Sequence, residues 1–458
     1  MTEKITCISP IDGSVVAERP VLDAAAAAAA AARASKAQQA WAARPLQQRA
    51  DCVMAAVDAL EAVNEEIVPE LARMMGRPVR FGGEIGGVRE RAEHMANIAE
   101  AALAAEIVED STAFQRRIER VPLGVVMVIA PWNYPYLTAI NTIAPALIAG
   151  NAVLLKHASQ TLLAGERLAD AFHAAGVPED VFQNLPLDHA GTEGLIRARL
   201  VDFVNFTGSV AGGRVMEQAA AGNFIPLGLE LGGKDPGYVS EKADLDAAVA
   251  TLIDGAMFNS GQCCCGIERI YVHKHLHDDF IDRAVSTINE LVLGDPLDSA
   301  TTLGPMARPG FANLVRQQTA AAIAAGATAH IDRFDGDDGK AYLSPQLLSG
   351  VDHSMALMRE ENFGPVVGIM AVSDDDEAVR LMNDSPYGLT ASVWTDDPDH
   401  ASAIGRQLQT GTVFMNRADY LDPALCWTGC KDTGRGAALS KLGFLGLTRP
   451  QSFHLKRL

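Results

Sequence analysis

The chain has no apolar run of bilayer-spanning length, which argues against a helical membrane protein. Its first residues, Met1-Thr2-Glu3-Lys4, open no hydrophobic signal segment. Basic residues are in deficit: 38 Lys and Arg against 57 Asp and Glu leave a net charge of −19. Such a surface disfavours nucleic acid and anionic membranes as partners. Paired Cys-x-x-Cys spacing is missing, so no metal is expected. Seven cysteines, three of them consecutive, suit a reducing compartment, and a cytoplasmic protein is expected. No Gly-x-Gly-x-x-Gly follows the first strand pattern, and no internal repeat is present.

What is present is 458 residues, 48% of them hydrophobic, enough for two or more domains. Residues 5–22 read as an extended segment turning at Asp12-Gly13. Asp23 before nine alanines marks a helix start, and helical patterns follow to Ala105. Gly124–Ala130 reads as a buried strand. From residue 152, strands and helices alternate: 153–155, 162–175, 181–185, 191–200, 201–206, a helix to about 221, and 225–231. Repeated β-α units of this size imply a parallel, doubly wound sheet. The pattern restarts after Leu231-Gly232-Gly233-Lys234 and runs to about Asn416, which implies a second α/β unit. Segments 109–121 and 450–456 are strand-like with no evident partner in their own domains.

Three stretches carry candidate chemistry. In Asn259-Ser260-Gly261-Gln262-Cys263-Cys264-Cys265-Gly266, adjacent cysteines rarely meet disulfide geometry. A thiol in a glycine-bounded turn is a candidate nucleophile, and small buried packing residues are the alternative. Pro131-Trp132-Asn133-Tyr134-Pro135 fixes a loop at the carboxyl end of a strand, where α/β proteins keep ligand groups; Asn133 is a ligand group or a turn residue. Gly208-Ser209 opens a helix and is a phosphate site or an ordinary β-α turn.

These stretches come in a definite order: Pro131–Pro135; Phe206-Thr207-Gly208-Ser209 with Gly213; Leu229-Glu230-Leu231-Gly232-Gly233-Lys234; Gly261-Gln262-Cys263-Cys264; Glu361-Asn362-Phe363-Gly364-Pro365; Ser385-Pro386-Tyr387-Gly388-Leu389. Together they resemble the NAD(P)-dependent aldehyde dehydrogenase superfamily, from about Ser9 to the C-terminus. The resemblance implies an α/β fold. Residues 1–110 and 123–230 would form a doubly wound, Rossmann-like cofactor domain, and 231–430 a second α/β catalytic domain. Residues 111–122 and 431–458 would be an oligomerisation element and tail. It implies oxidation of an aldehyde to a carboxylic acid through a Cys264 thiohemiacetal and thioester. Glu230 would be the hydrolytic base, and Asn133 with the Cys264 N–H the oxyanion donors. Glu361, Phe363, Lys156 and Ser159, with Trp132, Gly208, Ser209, Gly213 and Leu231, would hold the cofactor. Thr138, Asn141, Cys263, Cys265, Arg417, Asp419 and Leu421 would line the substrate pocket.

Departures from the family pattern refine these expectations. Ser159 stands where a glutamate usually chelates the adenosine ribose, so NADP should serve at least as well as NAD. His157 replaces a proline, which weakens the match of that loop to the family pattern. Lys431-Asp432-Thr433-Gly434 replaces Lys-x-Ser-Gly. Most of the family's N-terminal hairpin should be missing. Succinate-semialdehyde members carry arginine where this chain has Asn141. Asn141 and Asp419 would then allow a polar or amino-bearing aldehyde, a plain aliphatic one being the alternative, with Arg417 and Asp419 pairing with each other or reading a charged substrate end. A homodimer or homotetramer is expected. A CoA-acylating enzyme and a non-catalytic binding protein are the alternatives; Glu230, a hydrolytic base, argues against the first, and joint retention of Cys264, Glu230 and Asn133 against the second.

Overall fold

The computed structural model describes residues 3–458. Three sheets carry the architecture, with a small hairpin beside them. The first sheet has six strands in the order Gly434–Arg435, Leu227–Glu230, Phe203–Thr207, Val125–Ile129, Ala152–Lys156 and Phe182–Asn184. All pair in parallel except Gly434–Arg435, which runs antiparallel against Leu227–Glu230. Every residue of Val125–Ile129 is buried, as expected of a parallel strand covered on both faces. Helices such as Ala24–Ala42, Leu46–Ala62 and Pro135–Ala149 pack over this sheet in one large core. Asp23 caps the alanine helix, its carboxylate accepting from the Ala26 N–H.

The second sheet has seven strands in the order Thr328–Ala329, Gln346–Ser349, Val366–Val372, Ile267–His273, Asp235–Val239, Thr390–Trp394 and Thr412–Met415. Only Thr328–Ala329 is antiparallel to its neighbour. The two large sheets correspond to the two runs of alternating pattern in the sequence. Residues that follow Val125–Ile129 and Leu227–Glu230 in the first sheet, and residues that precede Ile267 and Thr390 in the second, line one cavity. Carboxyl edges of parallel strands are where such folds keep their ligands.

Two expectations are corrected. Residues 4–20 are not the remnant of a missing hairpin: Lys4–Ile8 and Val15–Pro20 pair antiparallel around the Asp12-Gly13 turn. The strand-like segments at 109–121 and 450–456 do not lack a partner. Thr448–Lys456 pairs along its whole length with Phe114–Pro122, which also pairs with Glu106–Asp110. The rest of the C-terminal stretch returns to the first sheet, where helix Ser440–Gly446 buries Phe444 in its core. Among the described residues, no helix is long and apolar enough to cross a membrane.

Candidate active site

Helix Leu245–Met257, capped by Asp244, delivers the chain to the cysteine turn. Three successive residues there are left-handed: Asn259 (φ 54°), Ser260 (φ 56°) and Gly261 (φ 68°). Two of the three are not glycine, so the turn stores strain that its surroundings must hold. The holding contacts are specific. The Ser260 hydroxyl donates to the Gly304 carbonyl at 2.8 Å. The Gln262 amide donates to Asn259 O at 3.1 Å and accepts from Ala307 N at 2.8 Å. A Cβ on Gly261 would come within 2.2 Å of Gly364 O, so only glycine fits. The turn leaves Cys263 and Cys265 buried and Cys264 half-buried.

A second loop meets this turn through a buried ion pair. Arg77 Nη1 and Glu84 Oε1 lie 2.7 Å apart. The other Glu84 oxygen accepts from the N–H groups of Tyr136 and Leu137, at the start of helix Pro135–Ala149. Arg77 Nη2 donates to Asn133 O at 2.6 Å. The Asn133 side-chain amide in turn donates to Gln262 O at 3.2 Å, two residues before Cys264. One of its N–H bonds is used in this way and the other remains.

Cys264, Glu230, Thr138, Asn141, Leu421, Cys263, Cys265 and Asp419 line one cavity of about 260 Å³. The three sulfurs lie within 4.8 Å of one another. The neighbouring thiols stabilise the Cys264 thiolate and pull its pKa down to about 6, against the effect of burial. Contacts among the three thiols push Cys263 up to about 12 and Cys265 well above the ordinary thiol range. Cys265 and Cys263 also donate to Asp419 Oδ1, at 2.9 and 3.3 Å. Each thiol has one proton, so Asp419 and the Cys264 sulfur compete for it. Burial pushes Asp419 well above the carboxylate range, which weakens it as the competitor. Glu230 is raised by burial to about 7, partly offset by a 3.3 Å hydrogen bond from Thr207 and by the charge of Arg91.

The pocket differs from expectation at two points. Arg417 is not paired with Asp419: its guanidinium lies over the Tyr420 ring, 3.6 Å from the centroid. An arginine is present beside Asn141 after all, supplied by another helix. Arg91, on Ile85–Leu103, donates to Asn141 Oδ1 at 3.0 Å and lines the cavity. Nothing in the local sequence marks this residue, because its contact spans 50 positions.

The cofactor candidates lie on loops that follow strands of the first sheet and on the loop before Val366 in the second. Trp132 stacks on Phe311 at 5.4 Å and meets Phe363 edge-on at 5.6 Å. The Glu361 carboxylate accepts from Gly233 N at 3.1 Å, and burial raises it to about 8. A Cβ on Gly232 would strike that carboxylate at 2.3 Å. Lys234 is structural: it bonds Glu268 at 2.8 Å, and Glu268 accepts from the N–H groups of Asn362 and Phe363. Leu231 packs against Gly213. Ser209 caps helix Val210–Ala220 just after Gly208.

Lys156 ends its strand with its ammonium largely buried, which lowers its pKa. His157 braces the loop. Its Nε2–H donates to Pro135 O at 3.2 Å and its Nδ1 contacts the Thr161 hydroxyl at 3.1 Å. Burial lowers its pKa to about 4, so it stays neutral. Ser159 Oγ accepts from Arg308 Nη2 at 3.2 Å, and Arg308 Nε donates to Gln160 at 2.8 Å. These groups fit a dinucleotide: a buried ammonium, a carboxyl, an aromatic platform and an arginine. A larger groove of about 800 Å³ between helices 24–42 and 162–174 contains none of the cysteines.

The family model that matches residues 1–453 is that of the aldehyde dehydrogenase family. The chain is 36% identical over 409 residues to an aldehyde dehydrogenase of Paenarthrobacter nicotinovorans, covering 87% of this chain and 88% of that one. It is 34% identical over 399 residues to an NADP(+) succinate-semialdehyde dehydrogenase of Mycobacterium avium, covering 86% and 84%. A solved NADP complex of the NADP-dependent glyceraldehyde-3-phosphate dehydrogenase of Bacillus halodurans matches with a TM-score of 0.93 and 32% identity, over 100% of this chain and 96% of that one.

Glu84→Leu removes the partner of a buried guanidinium and should cost about 3–5 kcal/mol of stability. Arg77→Met with Glu84→Leu removes both charges and should recover part of that loss. Urea unfolding midpoints of the three proteins check this; a double variant no more stable than Glu84→Leu contradicts it.

Proposed function

The chain belongs to the aldehyde dehydrogenase family, whose members oxidise an aldehyde to a carboxylic acid with NAD(P)+, and we propose that Cys264 is its nucleophile, Glu230 its base and Asn133 a donor to its oxyanion. The observation that carries this reading is the placement of Cys264: it is the one half-buried thiol of the three, it shares a cavity with Glu230, and the Asn133 amide bonds the turn two residues before it.

The Cys264 thiolate adds to the aldehyde carbon, and the carbonyl π pair moves to oxygen. The free N–H of the Asn133 amide and the Cys264 backbone N–H donate to that oxyanion; such donors act most strongly where water is excluded. NAD(P)+ supplies the hydride acceptor. Loss of hydride from the tetrahedral carbon leaves a thioester on Cys264. Glu230 takes a proton from water as the water oxygen attacks the thioester. The C–S bond breaks, the acid leaves and the thiolate is restored. A base near pKa 7 is well matched to this task at neutral pH.

The cofactor is held by Trp132, Leu231, Gly208, Ser209, Gly213, Lys156, Ser159, Glu361 and Phe363. Ser159 presents no carboxylate to repel a 2′-phosphate, and Arg308 and Lys156 bring positive charge to its loop. NADP therefore serves at least as well as NAD. The second α/β unit is catalytic and the first binds the cofactor. The three-stranded sheet Glu106–Asp110, Phe114–Pro122 and Thr448–Lys456 leaves Ile107, Val108 and Leu455 exposed, and it joins subunits into a dimer or tetramer. Monomeric sedimentation of the intact chain would contradict that assembly.

Glu230→Gln should keep a pre-steady-state burst of NAD(P)H while steady turnover falls about 10²–10⁴-fold. The base acts deprotonated and its pKa is raised to about 7. Turnover limited by thioester hydrolysis should therefore rise from pH 6 to 8 in the wild type. An unchanged Glu230→Gln rate rules the role out. Ser159→Glu should weaken NADP binding and spare NAD, read as dissociation constants from tryptophan quenching. Undiminished NADP affinity in that variant contradicts the cofactor reading.

A further inference from the structure

Arg91 is a guanidinium only 9% exposed that forms no ion pair with any carboxylate among the described residues. Its Nη1 donates to Leu137 O at 2.8 Å and to Asn141 Oδ1 at 3.0 Å. Nε–H and Nη2–H have no acceptor among the described residues, and Arg91 lines the cavity that contains Cys264. A buried charge without a partner is costly, so such a site favours an anion that supplies one. We propose that these N–H groups bind a carboxylate at the far end of the substrate, so that the enzyme's substrates are short aldehydes bearing a carboxylate group. The proposal rests on Cys264 as the nucleophile in the same cavity.

The other charged groups around the cavity support an anion. Asp419 and Glu230 are driven toward their neutral forms by burial. Glu84 is engaged by Arg77 and two backbone N–H groups. Glu90 is exposed at the rim, where it accepts from the Tyr420 hydroxyl at 2.6 Å and water screens it. The enclosed part therefore sets one guanidinium against the Cys264 thiolate and a partly ionised Glu230, and Arg91 is the one group lining it, among the described residues, that attracts an anion. An amino-bearing aldehyde, which Asn141 and Asp419 suggest when taken alone, would face that charge at low dielectric. The free side of a planar fork matches the two oxygens of one carboxylate. A volume of about 260 Å³, walled by Leu137, Phe258, Leu389, Leu421 and Trp427, restricts the chain between the two ends to a few carbons.

The test compares succinic semialdehyde with butanal, which share four carbons and differ in the terminal carboxylate. Wild type should favour the carboxylated aldehyde in kcat/KM by about 10- to 10²-fold, the worth of a charge-assisted contact. Arg91→Gln should lose that preference mainly through the KM of the carboxylated aldehyde, and Arg91→Lys should restore part of it. A second readout needs no turnover. Succinate should slow iodoacetamide alkylation of Cys264 in wild type at concentrations where butyrate does not, and Arg91→Gln should erase the difference. Equal use of the two aldehydes by wild type, or equal protection by the two acids, overturns the proposal and leaves Cys264 as nucleophile. A fall in kcat for both aldehydes in Arg91→Gln with the preference for the carboxylated one intact also overturns it, and leaves Arg91 only the tuning of Glu230. Iodoacetamide that labels another cysteine and spares Cys264 overturns the reading beneath it.

Discussion

Arg77 and Glu84 sit in the middle of the molecule with almost no exposure, 2.7 Å apart, and between them they fix two loops. Glu84 takes the first free N–H groups of helix Pro135–Ala149, and Arg77 takes the carbonyl of Asn133. Asn133 then bonds Gln262 in the strained turn that presents Cys264. A hydrophobic pair of similar size in place of Arg77 and Glu84 could contribute as much stability. It could not supply three oriented hydrogen bonds to backbone groups that would otherwise be buried without partners. The pair's value lies in placing the Asn133 amide beside the cysteine turn.

The same region is tuned by burial more than by paired charges. Glu230 and Asp419 rise because their surroundings exclude water, while Cys264 falls because two thiols bond its anion. Opposite shifts within one cavity separate a nucleophile that is charged near neutrality from a base that is only partly so. Arg91 adds a positive charge with a free edge, and this charge also limits how far burial can raise Glu230.

Much of this was legible in the sequence because the chemistry uses contiguous residues. The Gly-Gln-x-Cys turn, the Pro-Trp-Asn loop and Glu230 before Gly-Gly are local patterns, and the strand–helix rhythm led to the two large sheets. The residues that hold the site together were not legible. Arg77 reaches Asn133 across 56 positions, Arg91 reaches Asn141 across 50, and Arg308 reaches Ser159 across 149. Each reads locally as an ordinary charged helix or loop residue. His157 shows the same limit: its sequence says that a proline is absent, while its contacts with Pro135 and Thr161 show what took over the proline's work. The tail likewise reads as a strand, but no local pattern says that its partner is Phe114–Pro122.

The central claim is that this scaffold singles out one thiol of three and holds it ionised near neutral pH. The direct measurement is the rate of iodoacetamide alkylation from pH 5 to 10, with the modified residue identified by peptide mass analysis. The account predicts labelling at Cys264 with a midpoint near 6, well below the ordinary thiol range, and little labelling of Cys263 or Cys265. A midpoint near 9, or prior labelling of Cys263 or Cys265, would contradict it.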